Sequence, residues 1–370
     1  MTRFLAEPPP SDVRAALERL ARAGDVRRVA VMPDVHLARD VCVGVAVATT
    51  RRIYPAAVGD DIGCGMAALH LGCEAERLDD DSAQAMLADL RRAVPTLRQP
   101  GSGGHALPEA LAERSLSLPA LESEKRRTAA RQLGTLGRGN HFVEFQADDE
   151  GALWLMLHSG SRSMGQAVRH KHEPRATGRE AGLAWFDAED EAGRAYLADM
   201  VWALEFAEVN RRRILERVSA LAEQRLGARP DEATLLTCNH NHVRRERIGD
   251  EDLWVHRKGA IPARAGEPGI IPGSMGAASY HVEGRGHEEA LHSSSHGAGR
   301  AMSRSEARQR ISLRTLEREL RGVWYDQRLA PRLRDEAPGA YKEIGAVMRA
   351  QRELTRIVRR LRPLLSYKGA

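Results

Sequence analysis

Five of the fourteen histidines, His141, His158, His240, His242 and His296, stand beside Gly, Asn or Ser in loop-like contexts. There a ring is freer to meet a ligand than on an apolar face. The run Gly59-Asp60-Asp61-Ile62-Gly63-Cys64-Gly65 sets a carboxylate and a thiol three residues apart between glycines, close enough for both to reach one cation. A thiolate can also bridge two. Together with His141, His158 and His240 this is an oxygen, nitrogen and sulfur donor set, suited to Mn²⁺, Fe²⁺, Co²⁺ or Zn²⁺ and unlike the all-oxygen sites of Mg²⁺. Outside such a set, a lone Cys64 reads as a small buried hydrophobe.

A second group of segments suits phosphate. Gly134 to Glu144 places Gly134, Gly137 and Gly139 ahead of Asn140-His141, with Glu144 three residues on, and Pro272-Gly273-Ser274-Met275-Gly276 runs on to Ser279-Tyr280. Such backbones can approach a nucleotide closely, although turns also need glycine. Ser293-Ser294-Ser295-His296-Gly297-Ala298-Gly299-Arg300, with Ser303 and Arg304 beyond, sets one imidazole among hydroxyls and guanidinium groups. A neutral imidazole can attack phosphorus if arginines and metal ions absorb the developing charge.

These residues need elements to hold them. The apolar spacing of Val13, Ala16, Leu17 and Leu20 predicts a helix with Ser11 as N-cap and Gly24 past its end. Arg28 to Met32 reads as a strand ending at Pro33 and delivering Asp34 and His36 onto a loop, and Val41 to Ala48, Met66 to Leu71 and Trp154 to Leu157 read as further buried strands. Residues 80–93, residues 189–222 (one or two helices) and Arg304 to Leu320 carry helical patterns, and the Gly/Ser/Pro-rich stretch Gly101 to Pro119 reads as a loop or lid, so that residues 100–120 are expected to be flexible. Repeats and clean linkers are lacking, and short strands ending in Gly/Pro loops recur throughout. One α+β domain over residues 1–370 is expected.

At 370 residues, 42% hydrophobic and 29% charged, the chain can bury a large core and is neither disordered nor fibrous. Four cysteines are too few to staple it. The longest apolar run, Val41 to Ala48, is short of the roughly 20 residues of a membrane helix, and the start lacks a signal pattern, so a cytoplasmic protein with no membrane partner is expected. Sixteen aromatic residues argue against a module that stacks bases on exposed rings. Residues 241–370 hold 25 Lys+Arg against 16 Asp+Glu, and residues 1–240 hold 31 against 35, so the basic balance is C-terminal and suits a polyanion or a solvated helix face. Of 56 basic residues only Lys125, Lys171, Lys258, Lys342 and Lys368 are lysines, which marks them as positions where a compact ammonium is wanted.

In order along the chain stand Met32-Pro33-Asp34-Val35-His36, Asp61-Ile62-Gly63-Cys64-Gly65, Gly137-Arg138-Gly139-Asn140-His141-Phe142, His158-Ser159-Gly160-Ser161-Arg162, Asn239-His240-Asn241, Lys258-Gly259-Ala260, Pro272 to Tyr280, Ser295-His296-Gly297-Ala298-Gly299-Arg300, Ala337-Pro338 through Tyr341-Lys342, and Lys368-Gly369. Over nearly its whole length the chain thereby resembles the RtcB family of RNA ligases. The resemblance implies mixed and antiparallel sheets around a central metal- and nucleotide-binding cleft flanked by helices. It implies an enzyme that uses GTP and two Mn²⁺ ions to join an RNA 3′-phosphate or 2′,3′-cyclic phosphate end to a 5′-hydroxyl end, in RNA repair or tRNA maturation. Asp61, Cys64, His141, His158 and His240 would hold the metals, with Cys64 bridging, and His296 would be the nucleophile that forms a histidine–GMP intermediate. Asn140, Glu144, Ser274, Ser279, Gly297, Ala298, Gly299, Tyr341 and Lys368 would line the guanylate pocket with His296, while Asp34, His36, Arg39, Arg162 and Arg300 would meet RNA. An archease-like activator is a further implied partner.

The chain departs from the family pattern in places. Leu37-Ala38-Arg39-Asp40-Val41-Cys42 stands where better-known members have a Gly-rich, aromatic stretch, Asp60-Asp61 doubles the acidic residue, and Ser295 replaces a common cysteine. Two other readings stay open: a metal-dependent phosphoesterase or 3′-phosphate-capping nucleotidyltransferase of the same fold, and a non-catalytic RNA-binding protein.

Overall fold

In the computed structural model, which describes residues 1–98 and 106–369, the chain is an α+β assembly whose strands form four sheets among the described residues. The largest has seven antiparallel strands in the order Asp231–Asn239, Gly65–Glu74, Ala152–Ser159, Phe142–Asp148, Thr355–Lys368, Ser279–Gly284 and Pro268–Ile271. It curls until its two edges approach, with Cys238 Sγ 4.0 Å from the Ile270 carbonyl oxygen.

Strand alternation then separates two faces. Outward, Ala67, Val143, Phe145, Leu155, Leu157, Leu365 and Tyr367 pack in one core with side chains of the helices Asp80–Ala93 and Glu191–Leu226. Inward, Met66, Ala68, Phe142, Trp154, Met156, Ile270 and Leu361 close on one another. The pairing register places Met66 beside His158, His158 beside Phe142 and Phe142 beside Lys368. One cross-strand row thus carries residues far apart in sequence.

The second sheet runs Thr2–Arg3, Val26–His36, Val43–Thr49, Glu251–Lys258 and Asn241–Ile248, the first pair parallel and the rest antiparallel. Small sheets pair Ala260–Pro262 with Ser293–Ser295, and Arg52–Ile53 with Leu183–Asp187 and Gly178–Glu180. Buried ion pairs lock the second sheet. Arg257, with no exposed surface, meets Glu246 at 2.5 and 3.0 Å and donates to the Leu291 carbonyl at 3.0 Å.

The expected elements are present, with corrections. The first helix is Ser11–Ala21, but Pro10 holds the cap position and Ser11 is already helical. The strand expected to end at Pro33 continues to His36. Pro33 cannot donate to a ladder, and the register shift between Val31 and His36 absorbs that defect. Lys342 Nζ then donates to the carbonyls of Pro33 and Val35, at 2.9 and 2.6 Å, so Asp34 is fixed on a strand instead of a loop. The helical pattern over residues 189–222 is a single helix, Glu191–Leu226, capped by Asp190 at its start and by Gly227 in the left-handed region at its end. Arg304 to Leu320 is two helices, Arg304–Arg310 and Leu313–Glu319, because the Ser312 side chain caps the second by accepting from the Thr315 N–H. Of the expected lid, residues 100–105 lie outside the described residues. The remainder is mostly exposed, with Glu109–Glu113 helical, Leu111 and Leu116 buried, and Trp202 Nε1 donating to the Leu111 carbonyl at 3.0 Å.

Candidate active site

At the mouth of the curled sheet, where the two large sheets meet, lies a cleft of about 1150 Å³. Asp61, Cys64, His158, His240, Glu144, Lys368 and His296 all line it, as do Asn140, Ser274, Ser279, Tyr341 and the Gly297-Ala298-Gly299 turn.

The thiol and imidazoles converge on one point. Cys64 Sγ stands 3.1 Å from His158 Nε2 and 3.4 Å from His141 Nε2, and His141 Nε2 is 3.0 Å from Asp61 Oδ2. Ligand atoms of Cys64, His141 and His158 lie within 4.8 Å of one another, and all three residues are buried. Second partners fix the tautomers. His141 Nδ1–H donates to the Leu136 carbonyl and His158 Nδ1–H to the Asn140 carbonyl, each at 3.0 Å, which leaves both Nε2 lone pairs facing inward. His240 lies beyond, tilted, its ring centroid 5.1 Å from that of His158 and 4.7 Å from that of His296. At Gly160 a Cβ would lie 2.3 Å from Asp61 Oδ1, so a side chain there would displace the carboxylate.

Electrostatics agree with a cation site. Burial, with Asp61 adding to it, pushes the Cys64 thiol well above its ordinary value, and burial pushes His158 and His240 well below theirs. Burial would also raise Asp61, but His141, while its Nε2 carries a proton, and Arg162 outweigh it and hold the carboxyl low, and a cation would take that proton's place. Asp61 Oδ1 and His240 Nδ1 are buried without a hydrogen-bond partner. Lone pairs and a carboxylate facing one point, with atoms left unsatisfied, form a cluster that a divalent cation would complete.

His296 is held from behind. Its Nδ1 is 2.6 Å from Asp34 Oδ2, which also accepts the His296 backbone N–H at 3.1 Å, while Asp34 has no exposed surface. The ring keeps Nε2 free. Gly299, at φ +74°, passes so close that a Cβ would sit 2.2 Å from the Asp34 carbonyl oxygen, which only glycine tolerates.

The far wall carries buried charges. Lys368 Nζ bonds Glu336 Oε2 and lies 5.7 Å from the Phe142 ring centroid, and Tyr341 OH donates to Glu336 at 2.8 Å. Burial would raise Glu336, but Lys368 and Arg304 hold it below its ordinary value. Burial pushes Glu144 up to about 7, although Ser366 Oγ–H and Gln146 Nε2–H donate to it at 2.9 and 2.8 Å. Gln146 also reaches Ser279 Oγ at 3.1 Å, and Ser274 Oγ is buried without a partner.

The residues expected to meet RNA are dispersed. Asp34 is buried behind His296. His36 Nδ1 faces the Asp34 carbonyl at 2.9 Å and burial lowers its pKa to about 4. Arg162, at φ +59°, has Nη1 3.3 Å from His141 Nδ1. Arg300 is spent on Tyr341 OH and the carbonyls of Met302 and Asp335. Only the Arg39 side chain is fully outward, at 81% exposed. The loop histidine His242 is not in the cleft; it is buried beside Arg257, with Nε2 3.3 Å from its guanidinium.

Sequence reasoning missed Glu336, Gln146 and Arg211, and it gave Asp34 a different role. Arg211, fully buried, donates to the carbonyls of Gly63 at 2.7 Å and Ser159 at 3.0 Å, tying the Cys64 loop to the end of the His158 strand. It sits mid-helix among other arginines, and no local signal distinguishes it.

A thiol–imidazole cluster beside a carboxylate-backed histidine, in a cleft lined by donors, is equipment for metal-assisted transfer of phosphoryl groups. The sequence model described as tRNA-splicing ligase RtcB matches residues 16–116 and 108–369. The chain is 37% identical to RNA-splicing ligase RtcB of Escherichia coli K12, over 98% of this chain and 95% of that one. It is 30% identical to RNA-splicing ligase RtcB of Mycobacterium tuberculosis, over 94% and 98%, and 32% identical to tRNA-splicing ligase RtcB of Thermococcus kodakarensis, over 68% and 62%. The chain belongs to the RtcB family. No helix among the described residues is long and apolar enough to cross a membrane.

Proposed function

We propose that this protein is a GTP- and Mn²⁺-dependent RNA ligase that joins 3′-phosphate or 2′,3′-cyclic phosphate ends to 5′-hydroxyl ends. The observation that carries the reading is the pair His296–Asp34, at 2.6 Å, standing beside His240 in the cleft that also holds Cys64, His158 and Lys368.

Cys64, His141, His158, Asp61 and His240 would hold two metal ions, which supply charge neutralisation for phosphoryl oxygens when bound. The chain's own groups do the rest. Asp34 takes the His296 Nδ1–H, so Nε2 presents its lone pair to the α-phosphorus of GTP. An N–P bond forms as the P–O bond to pyrophosphate breaks. Asp34 also stabilises the positive charge that builds on the ring. Glu144, as a carboxylate, accepts from the guanine N–H groups, and Lys368 donates to its acceptor edge. GMP then passes from His296 to the RNA 3′-phosphate, which gains the leaving group it lacks, and the 5′-hydroxyl displaces GMP to close the strand. A cyclic phosphate is first opened by water in the same cleft.

The test is to incubate the purified protein with GTP, Mn²⁺ and two RNA oligonucleotides, one ending in a 3′-phosphate and one starting with a 5′-hydroxyl. A joined product that needs GTP supports the reading. A 3′-capped strand that never joins favours the capping nucleotidyltransferase instead.

A further inference from the structure

Asp40 and Asp60, both in stretches that the sequence reading sets apart from the family's pattern, meet on one guanidinium. Arg169, 6% exposed, donates from Nη1 to Asp60 Oδ1 at 2.7 Å and from Nη2 to Asp40 Oδ2. It thereby ties the stretch after His36 to the loop that carries Asp61. Two other cations hold the same stretch: Arg19 donates to the Asp40 carbonyl at 2.9 Å, and Lys258 Nζ to the Val41 carbonyl at 2.7 Å. Three cations converge on two consecutive residues, and the Asp40 carboxylate, with Asp60 beside Arg169, offsets them.

What this anchorage holds in place is a lip. Leu37 is 49% exposed and lines the cleft, and the Arg39 side chain is 81% exposed, with its ion pair to Asp40 at 3.9 Å. A fixed backbone that presents a loosely paired guanidinium two residues past cleft-lining Leu37 suits a backbone phosphate of a strand leaving the cleft. Resting on the ligase reading, we infer that Arg169 is a positioning residue for RNA: through Asp40 and Asp60 it sets the lip that offers Arg39 to a phosphate beside the reacting end.

The full-length protein tests this with three variants, Arg39→Ala, Arg169→Met and Asp40→Asn, the last keeping the Arg169–Asp60 pair should Arg169→Met fold poorly. The readouts are binding of a 3′-phosphate RNA oligonucleotide across a salt series, hydrogen exchange of residues 37–42, and covalent labelling by α-labelled GTP. Arg39→Ala lowers the slope of log affinity against log salt by about one, the loss of one phosphate contact. Arg169→Met and Asp40→Asn lower it equally, speed exchange in residues 37–42 and leave labelling unchanged, and the double variant Arg39→Ala/Arg169→Met binds no worse than Arg39→Ala. An unchanged slope in Arg169→Met, additive losses, or labelling that falls in step with binding each overturns the inference. Failure of the wild type to become labelled, with the RNA effects intact, counts against the ligase reading and leaves the lip standing.

Discussion

His296 Nδ1 and Asp34 Oδ2 are 2.6 Å apart, and that carboxylate oxygen also takes the His296 backbone N–H at 3.1 Å. One buried carboxylate therefore sets both the position and the tautomer of the histidine. Asp34→Asn keeps the shape but can present an N–H to Nδ1, which shifts the proton to Nε2. The rate of covalent GMP transfer should fall about 10²- to 10⁴-fold with metal content unchanged. Single-turnover labelling measures it, and a wild-type rate would remove Asp34 from the chemistry.

Cys64 touches both His141 and His158 through its sulfur. Cys64→Ala should lower Mn²⁺ affinity by at least about 100-fold, since even outer partners of a metal ligand are worth 10- to 100-fold. Elemental analysis of the dialysed variant checks this. Full metal occupancy would contradict a site built on the thiolate.

Glu144 carries a pH signature. Burial raises its carboxyl to about 7, so in the free protein it holds a proton below that pH. Guanine N–H donors need the carboxylate, so GTP binding should release a proton below about pH 7, and affinity should rise with pH up to about 7 and then level off. The same raised value means its contribution to folded stability is present below the ordinary 4.5 and lost as pH rises through 7. Calorimetry in two buffers of different ionisation enthalpy reads the proton, and Glu144→Gln should release none.

Glu246 and Arg257 are both buried, their charges 2.5 Å apart. Glu246→Gln strands the Arg257 cation in the core and should cost about 3–5 kcal/mol of stability, measured by urea unfolding, because breaking a buried pair leaves an uncompensated charge. A loss under 1 kcal/mol would mean that the Leu291 carbonyl and the Ser293 hydroxyl, which accepts from Arg257 Nε at 2.8 Å, suffice for Arg257.

Much of the site was legible because its residues sit in short Gly-punctuated runs. The Asp61–Cys64 spacing and the Asn-His and Ser-His pairs are local patterns, and the structure gathers most of them in one cleft. Periodicity located the helix over 80–93 and the buried strands for the same reason. What stayed hidden is long-range. Asp34 read as a loop residue because Pro33 usually ends a strand, and only the bulge and the Lys342 contacts from 309 residues away carry the strand past it. Glu336 and Arg211 reveal themselves through partners remote in sequence, Lys368 for one and the Gly63 and Ser159 carbonyls for the other. His242, by contrast, has the neighbours of a site histidine yet alternates into the core of its sheet beside Arg257.

The most direct measurement is incubation of the purified protein with Mn²⁺ and α-labelled GTP, with ATP in parallel, followed by a denaturing gel and acid treatment. An acid-labile GMP adduct is expected with GTP alone, lost in His296→Ala while metal remains bound. No adduct on metal-loaded protein, or an adduct that survives in His296→Ala, would contradict it.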